Sequence, residues 1–236
     1  MNRRIDPETR KDELLEAASD LFLKNGYRDT SVNSIVESIG VSKGTFYYYF
    51  DSKEDVLDGL VDKLGDPIYE RIDEIVASNS LTAIEKLNEV FAASRQTKLS
   101  NKEDLRRIFH LLYRPENLRL RDKIQTRTVE RSAPKILRVV KQGITEGTLD
   151  TSFPEETSRL IFRMGRDLQE ETADVLLDAD AEIDGDKFAR KYEAYENAIE
   201  RVIGAPEGSI ELLGETDLNA FLAYLENNKI GAMHSS

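Results

Sequence analysis

Residues 40–44 read Gly-Val-Ser-Lys-Gly. This is the G-x-S-x-G spacing of a nucleophile elbow, in which a tight strand-to-helix turn lifts a serine hydroxyl towards an acyl substrate. That chemistry needs a strand before the serine, and an acid and a histidine after it. The sequence supplies neither a strand nor a suitable histidine. The preceding VNSIVESI repeats every three to four residues, as helices do. The chain's 2 histidines are His110, inside an apolar helical stretch, and His234, close to the end. With no cysteine there is no thiolate nucleophile and no Cys-ligated zinc. No Walker loop, dinucleotide fingerprint or metal-spaced His/Asp cluster appears either. The sequence therefore calls for no catalytic residue, no metal and no cofactor.

The same residues make sense as a contact surface. The window Thr30–Lys53, TSVNSIVESIGVSKGTFYYYFDSK, reads as a helix, a glycine-centred turn and a second helix that is small and polar at its start. That is the build of a helix-turn-helix. The second helix must bring its N-terminal residues close to base edges, so Lys43, Gly44 and Thr45 stand where bulk would obstruct entry. Ser42 is placed to cap this helix, with its free N–H groups towards the nucleic-acid backbone. Tyr47, Tyr48 and Tyr49 offer hydroxyl donors to phosphate without adding charge. Three adjacent side chains cannot share one helix face. One tyrosine is expected inward and two outward, with Tyr48 the most exposed, while Phe46 and Phe50, four apart, belong to the core.

The sequence GVSKGTFYYYFDSKEDVL, preceded by Thr30 and Ile35, resembles the DNA-binding region of the TetR/AcrR family of bacterial and archaeal regulators over about residues 10–60. Gly40, Val41, Ser42, Gly44, Tyr47, Phe50 and Lys53 all fall in register, whereas Val36-Glu37-Ser38-Ile39 departs from the small alanines more usual there. The resemblance implies a three-helix reading head, residues 1–52, followed by an all-α ligand-binding and dimerisation body, residues 53–236. It also implies DNA contacts at Thr30, Lys43, Gly44, Thr45, Tyr47, Tyr48, Tyr49 and Lys53, with Lys53 on a phosphate. For Thr30, capping of the second helix and phosphate contact are both open. The function implied is that of a regulator, chiefly a repressor, which binds a near-palindromic DNA operator as a homodimer and leaves it when a small-molecule effector is bound. An architectural DNA-binding protein working through a protein partner is the alternative.

The elements that must position these residues are all helical, and the fold class expected is all-α. The first helix runs from Pro7 to about Asn25 and stops at Gly26. The second spans Ser31–Ile39, opened by Thr30, and the third covers Lys43–Tyr49. A fourth is capped by Ser52, with Gly65-Asp66-Pro67 expected to break or kink it. Further spans are Leu81–Ser94, Lys102–Tyr113, Asn117–Glu146, Pro154–Leu177, Asp186–Ile203 and Asp217–Asn227. Phe188, Tyr192, Tyr195, Ile199 and Val202 recur at spacings of 4, 3, 4 and 3, and Ile161, Met164, Leu168 and Val175 keep a compatible rhythm. Two such helices from each of two chains would form a four-helix interface. Burial of part of the stripe within one chain is the competing reading. The family's effector pocket would be lined by Phe91, Phe109, Tyr113 and Phe162, with Arg95, His110 or Arg163 as polar anchors. Each of these also suits plain core or surface.

Charge sharpens the reading. The chain has 236 residues and a formal charge of −12, which by itself argues against a nucleic-acid partner. Residues 1–50, however, hold 7 basic and 8 acidic residues, while residues 142–236 hold 8 and 21. The acidity lies away from the helix-turn-helix, and the nearly neutral head implies a shallow salt dependence of binding. Lys123, Arg127, Arg131 and Lys135 recur every four residues as a cationic stripe. It suits a solvated face, pairing with the acidic C-terminal third, or an anionic lipophilic effector such as an acyl thioester. The longest run without Asp, Glu, Lys or Arg is Ile75–Ile84, far short of the ~20 residues of a membrane span. With no membrane partner and no signal peptide in the first thirty residues, a cytoplasmic protein is expected.

Overall fold

A computed structural model describes residues 7–99, 112–177 and 184–214, with isolated positions from 216 to 223. The fold is all-α, and no strand occurs among the described residues. The helices are α1 (Pro7–Asn25), α2 (Val32–Ser38), α3 (Lys43–Tyr49), α4 (Lys53–Ala77) and α5 (Ala83–Leu99). A 3-10 turn, Pro115–Asn117, leads into α6 (Leu118–Glu146), followed by α7 (Pro154–Leu177) and α8 (Gly185–Ile203). The expected spans Lys102–Tyr113 and Asp217–Asn227 lie largely outside the described residues. No described helix is long and apolar enough to cross a membrane.

Local chemistry sets the boundaries. Gly26, at φ 88°, takes the left-handed conformation that ends α1, and its N–H donates to Phe22 O at 2.9 Å. The cap of α2 is Ser31, not Thr30. The Ser31 hydroxyl accepts from Ser34 N at 3.0 Å, and Ser34 Oγ accepts from Ser31 N at 3.0 Å. This reciprocal capping box satisfies donors that the first helical turn leaves without partners. Ser42 caps α3 as expected, accepting from Thr45 N at 3.1 Å, and Ser52 caps α4 through Asp55 N at 3.1 Å.

The fourth helix does not break where expected. It continues through Pro67 to Ala77, and α6 likewise carries Pro134 within it. Each proline removes one N–H from the helical ladder, yet the helix is continuous on both sides of it.

The chain divides into two compact units: the described residues of Met1–Pro67 with His110–Arg127, and those of Ile68–Phe109 with Thr128–Ser236. The first, the head unit, is organised around Leu14, Phe22, Ile35, Phe46, Val56 and Leu57, all fully buried, with Leu120 of α6 in the same cluster. The second, the body unit, centres on Leu87, Ile136, Val139, Ile161, Ile199 and Ile203. Each unit has its own apolar core, as a separately packed body must.

Candidate nucleic-acid interface

The third helix is anchored from behind and open in front. Phe46 is fully buried and Phe50 nearly so, with ring centroids 5.9 Å apart in the head core. On the other side Tyr47 is 55% and Tyr48 75% exposed, and Lys43 and Gly44 are exposed beside them. Tyr49 is half-buried against the core and meets the Tyr48 ring edge-on at 4.8 Å. One tyrosine in and two out is thus the observed arrangement. Exposed aromatic surface of this kind is costly to leave in water without a use. Thr45 is half-buried, and its hydroxyl lies 3.0 Å from Ser42 Oγ.

Two expected contact residues have other occupations. Thr30 is only 2% exposed, and its hydroxyl donates inward to Gly26 O at 2.8 Å and Leu21 O at 3.1 Å. That hydroxyl ties the end of α1 to the start of α2 and is turned away from any phosphate. Lys53 also works internally. Its ammonium donates to Tyr27 O and Thr30 O at 2.7 Å each, approaches Arg28 O at 3.4 Å and lies 4.3 Å from the Tyr27 ring centroid. An ammonium has three protons, and three carbonyls surround this one. Burial pushes its pKa down. Lys53 therefore clamps the α1–α2 turn.

A charged cluster adjoins this clamp. The Tyr27 hydroxyl donates to Glu54 Oε2 at 2.7 Å, while Arg119 and Lys123 approach the same carboxylate at 2.9 and 3.0 Å. Burial, with help from Glu54, pushes the Tyr27 phenol up to about 12. The Tyr27 hydrogen bond, followed by those of Lys123 and Arg119, holds Glu54 down at about 2. Nothing in the spacing of Tyr27 distinguishes it from other aromatics, so its role is visible only in the fold.

The cationic stripe finds partners along α4. Lys123 pairs with Asp58 at 2.6 Å and Arg127 with Asp62 at 2.6 Å, while in the body Lys135 pairs with Asp73 and Arg131 lies over the Tyr69 ring. Its partners are the acids of α4. Their own four-residue spacing, Glu54, Asp58 and Asp62, was the signal that could have found them.

The described members of the expected pocket set fall in both units. Phe91 and Phe162 pack against the body core, whereas Tyr113 belongs to the head unit, under the Arg121 guanidinium at 4.4 Å. Arg163 is exposed, and Phe109 and His110 lie outside the described residues. Arg95 donates to Leu212 O at 2.8 Å, in a chain segment whose N–H groups at Ile210 and Leu212 are held by Glu200 and Glu196. Its role in that segment is structural.

Part of the expected dimer stripe is covered within the chain. Ile161, Leu168 and Ile199 are buried in the body core, with Met164, Tyr192 and Tyr195 packed against it, and the buried Phe188 lies with its ring centroid 5.0 Å from that of Tyr192. Val202 is half-buried, and the Val175 side chain lies outside the described residues.

Comparison with known proteins decides the family. Residues 14–60 match the model of the bacterial regulatory proteins of the tetR family. Over 162 residues the chain is 30% identical to the HTH-type transcriptional repressor KstR2 of Mycolicibacterium smegmatis, covering 68% of this chain and 76% of that one. The chain belongs to the TetR family. A second relative is the fatty acid metabolism regulator protein of Bacillus subtilis, 34% identical over 112 residues, or 48% of this chain and 57% of that protein. The fold likeness extends beyond the head: a solved structure of a putative tetR family transcription regulator from Shewanella sp. PV-4 superposes with a TM-score of 0.54 at 20% identity, covering 80% of this chain and 97% of that one. TetR regulators bind DNA operators and small-molecule effectors, typically as dimers. This chain is accordingly a DNA-binding transcriptional regulator.

Proposed function

We propose that this regulator is a repressor whose homodimer reads a near-palindromic operator through two copies of α3, and that a small-molecule effector releases it. The observation that carries the reading is the two-sided character of α3, with Phe46 locked in the core and Tyr47 and Tyr48 on the open side. A helix held this firmly presents Lys43, Gly44, Thr45, Tyr47 and Tyr48 in a fixed geometry, as readout of base edges and phosphates requires. Ser42 contributes by fixing the start of the helix, and Tyr49 by backing Tyr48. The chain acts by binding, in the cytoplasm where its operator is, and not by turnover.

KstR2 is a repressor and the Bacillus relative a regulator of fatty acid metabolism. The first name supports a repressor, and the second supports control of fatty acid metabolism with a lipophilic effector, taken up in the body near Phe91 and Phe162. Release follows only if the effector binds the form of the dimer that cannot engage DNA more tightly than the form that can.

Selection of bound duplexes from a random-sequence library tests the DNA reading. An inverted repeat should emerge, and alanine at Lys43, Tyr47 and Tyr48 together should abolish preference for it. Unchanged affinity of that triple variant would refute the assignment. Calorimetry with anionic and neutral lipophiles, with and without the selected duplex, tests effector release.

A further inference from the structure

Within the head unit, α4 and the first turns of α6 are joined by a regular ionic ladder. Glu54 receives Arg119 and Lys123, Asp58 receives Lys123, and Asp62 receives Arg127 through two bonds, Nε to Oδ1 at 2.6 Å and Nη2 to Oδ2 at 2.8 Å. Acids and bases both recur every four residues. The offset between partners is 65 residues at the Asp58 and Asp62 rungs alike. The two helices therefore run in the same direction here, in a single register.

The ladder also reaches the helix-turn-helix. Glu54 holds the Tyr27 hydroxyl, and its neighbour Lys53 holds the carbonyls of Tyr27 and Thr30. On the α6 side, the fully buried Asn117 accepts from Tyr27 N at 3.3 Å. A Cβ at Gly26 would stand 2.6 Å from Glu116 Cβ, so the two backbones meet closely there. The turn from which α2 and then α3 proceed is thus gripped from α4 and from residues 116–119 together.

We propose that residues 116–127 are a positioning rail for the reading helix. The ladder fixes the register of α4 against α6, and the Lys53, Glu54 and Asn117 contacts carry that register into the α1–α2 turn and hence to the pose of α3. Exposed ion pairs add little stability, about 0–1 kcal/mol each. Three in matched spacing nevertheless favour this alignment, because a slip by less than a repeat draws every pair apart and a slip by a whole repeat leaves Arg119 without its acid. The inference rests on the DNA-binding reading above.

Charge reversal separates it from simple attraction of DNA. The variant D58K/D62K makes the head more basic, so attraction alone predicts tighter binding to the selected duplex. The rail predicts weaker binding, by a factor on the order of ten, as for coupled contacts elsewhere. The variant K123D/R127D should also bind weakly, and the quadruple swap should restore affinity to within about threefold. Tighter binding by D58K/D62K, or a quadruple variant no better than the weaker double, would overturn the rail. If wild-type protein enriches no duplex at all, the DNA reading itself fails. Should the reversed variants not fold, amide exchange in D58N/D62N decides: Tyr27 N–H should lose protection while amides inside α1 keep theirs, and unchanged Tyr27 protection would overturn the rail.

Discussion

The hydroxyl of Tyr27 donates to the carboxylate of Glu54 at 2.7 Å, across the start of α4, and that carboxylate also receives Arg119 and Lys123. A phenol, a guanidinium and an ammonium thus converge on one acid. Each favours its charged form, which is why Glu54 titrates at about 2 instead of near 4.5.

This sets an acid sensitivity. A carboxylate with a depressed folded-state pKa adds stability that is fully present above its unfolded value and is lost as pH falls through the folded one. Head stability should be flat from neutrality to about pH 5 and decline between about 4.5 and 2. Glu54→Gln should flatten that limb, bringing variant and wild type together at the acid end. Thermal melts across this range provide the check, and parallel curves would contradict it.

Lys53→Met tests the clamp. It removes donors from the Tyr27 and Thr30 carbonyls and should cost about 1.5–3 kcal/mol of stability, the range for hydrogen bonds to charged groups. The salt dependence of operator binding distinguishes this from phosphate contact. Loss of a phosphate contact would reduce the log–log slope by about 1, whereas loss of the clamp leaves it unchanged.

The two sides of α3 should respond oppositely. Phe46→Ala empties a fully buried site and should destabilise by about 3–5 kcal/mol. Tyr48→Ala, at an exposed position, should stay within about 0.5 kcal/mol of wild type yet lose discrimination between operator and random duplex. Urea denaturation and competition binding on both variants would separate fold from reading.

In the body, Lys86 is 5% exposed, and its ammonium donates to Val76 O at 2.9 Å and Gln142 Oε1 at 2.8 Å. It thereby caps the C-terminal end of α4, where carbonyls lack helical partners. Lys86→Met keeps the stem and removes the donors, so a loss of about 1.5–3 kcal/mol is expected. A melting temperature equal to wild type would show the bonds to be of no consequence.

The parts of this molecule written in local patterns were legible in its sequence. Apolar spacing located α1, α3, α7 and α8, and the separation of Phe46 from Tyr47 and Tyr48 follows from helical geometry. Choices between neighbours were less visible. Thr30 and Ser31 are both good caps, and only the inward turn of Thr30 towards Leu21 and Gly26 assigns the role to Ser31. The stripe through Ile161, Leu168, Phe188 and Ile199 reads the same whether it is covered by its own chain or by a second one, because burial makes the same demand in both cases. The spacing of Lys123 and Arg127 was plain, but their partners sit 65 residues away, and a local window shows the matching repeat of acids without showing that the two repeats meet.

That pairing has a consequence for exchanging parts between regulators. The head unit is written in two separate stretches, Met1–Pro67 and His110–Arg127. A chimera that takes its reading helix from one parent and is joined at residue 67 would face Glu54, Asp58 and Asp62 with cations chosen for another helix, and one joined at residue 52 would set its α1–α2 turn against a lysine, an acid and an amide chosen for another turn. A transplant that keeps its operator preference therefore has to bring both stretches, so the unit of inheritance for DNA recognition is larger than the motif that performs it.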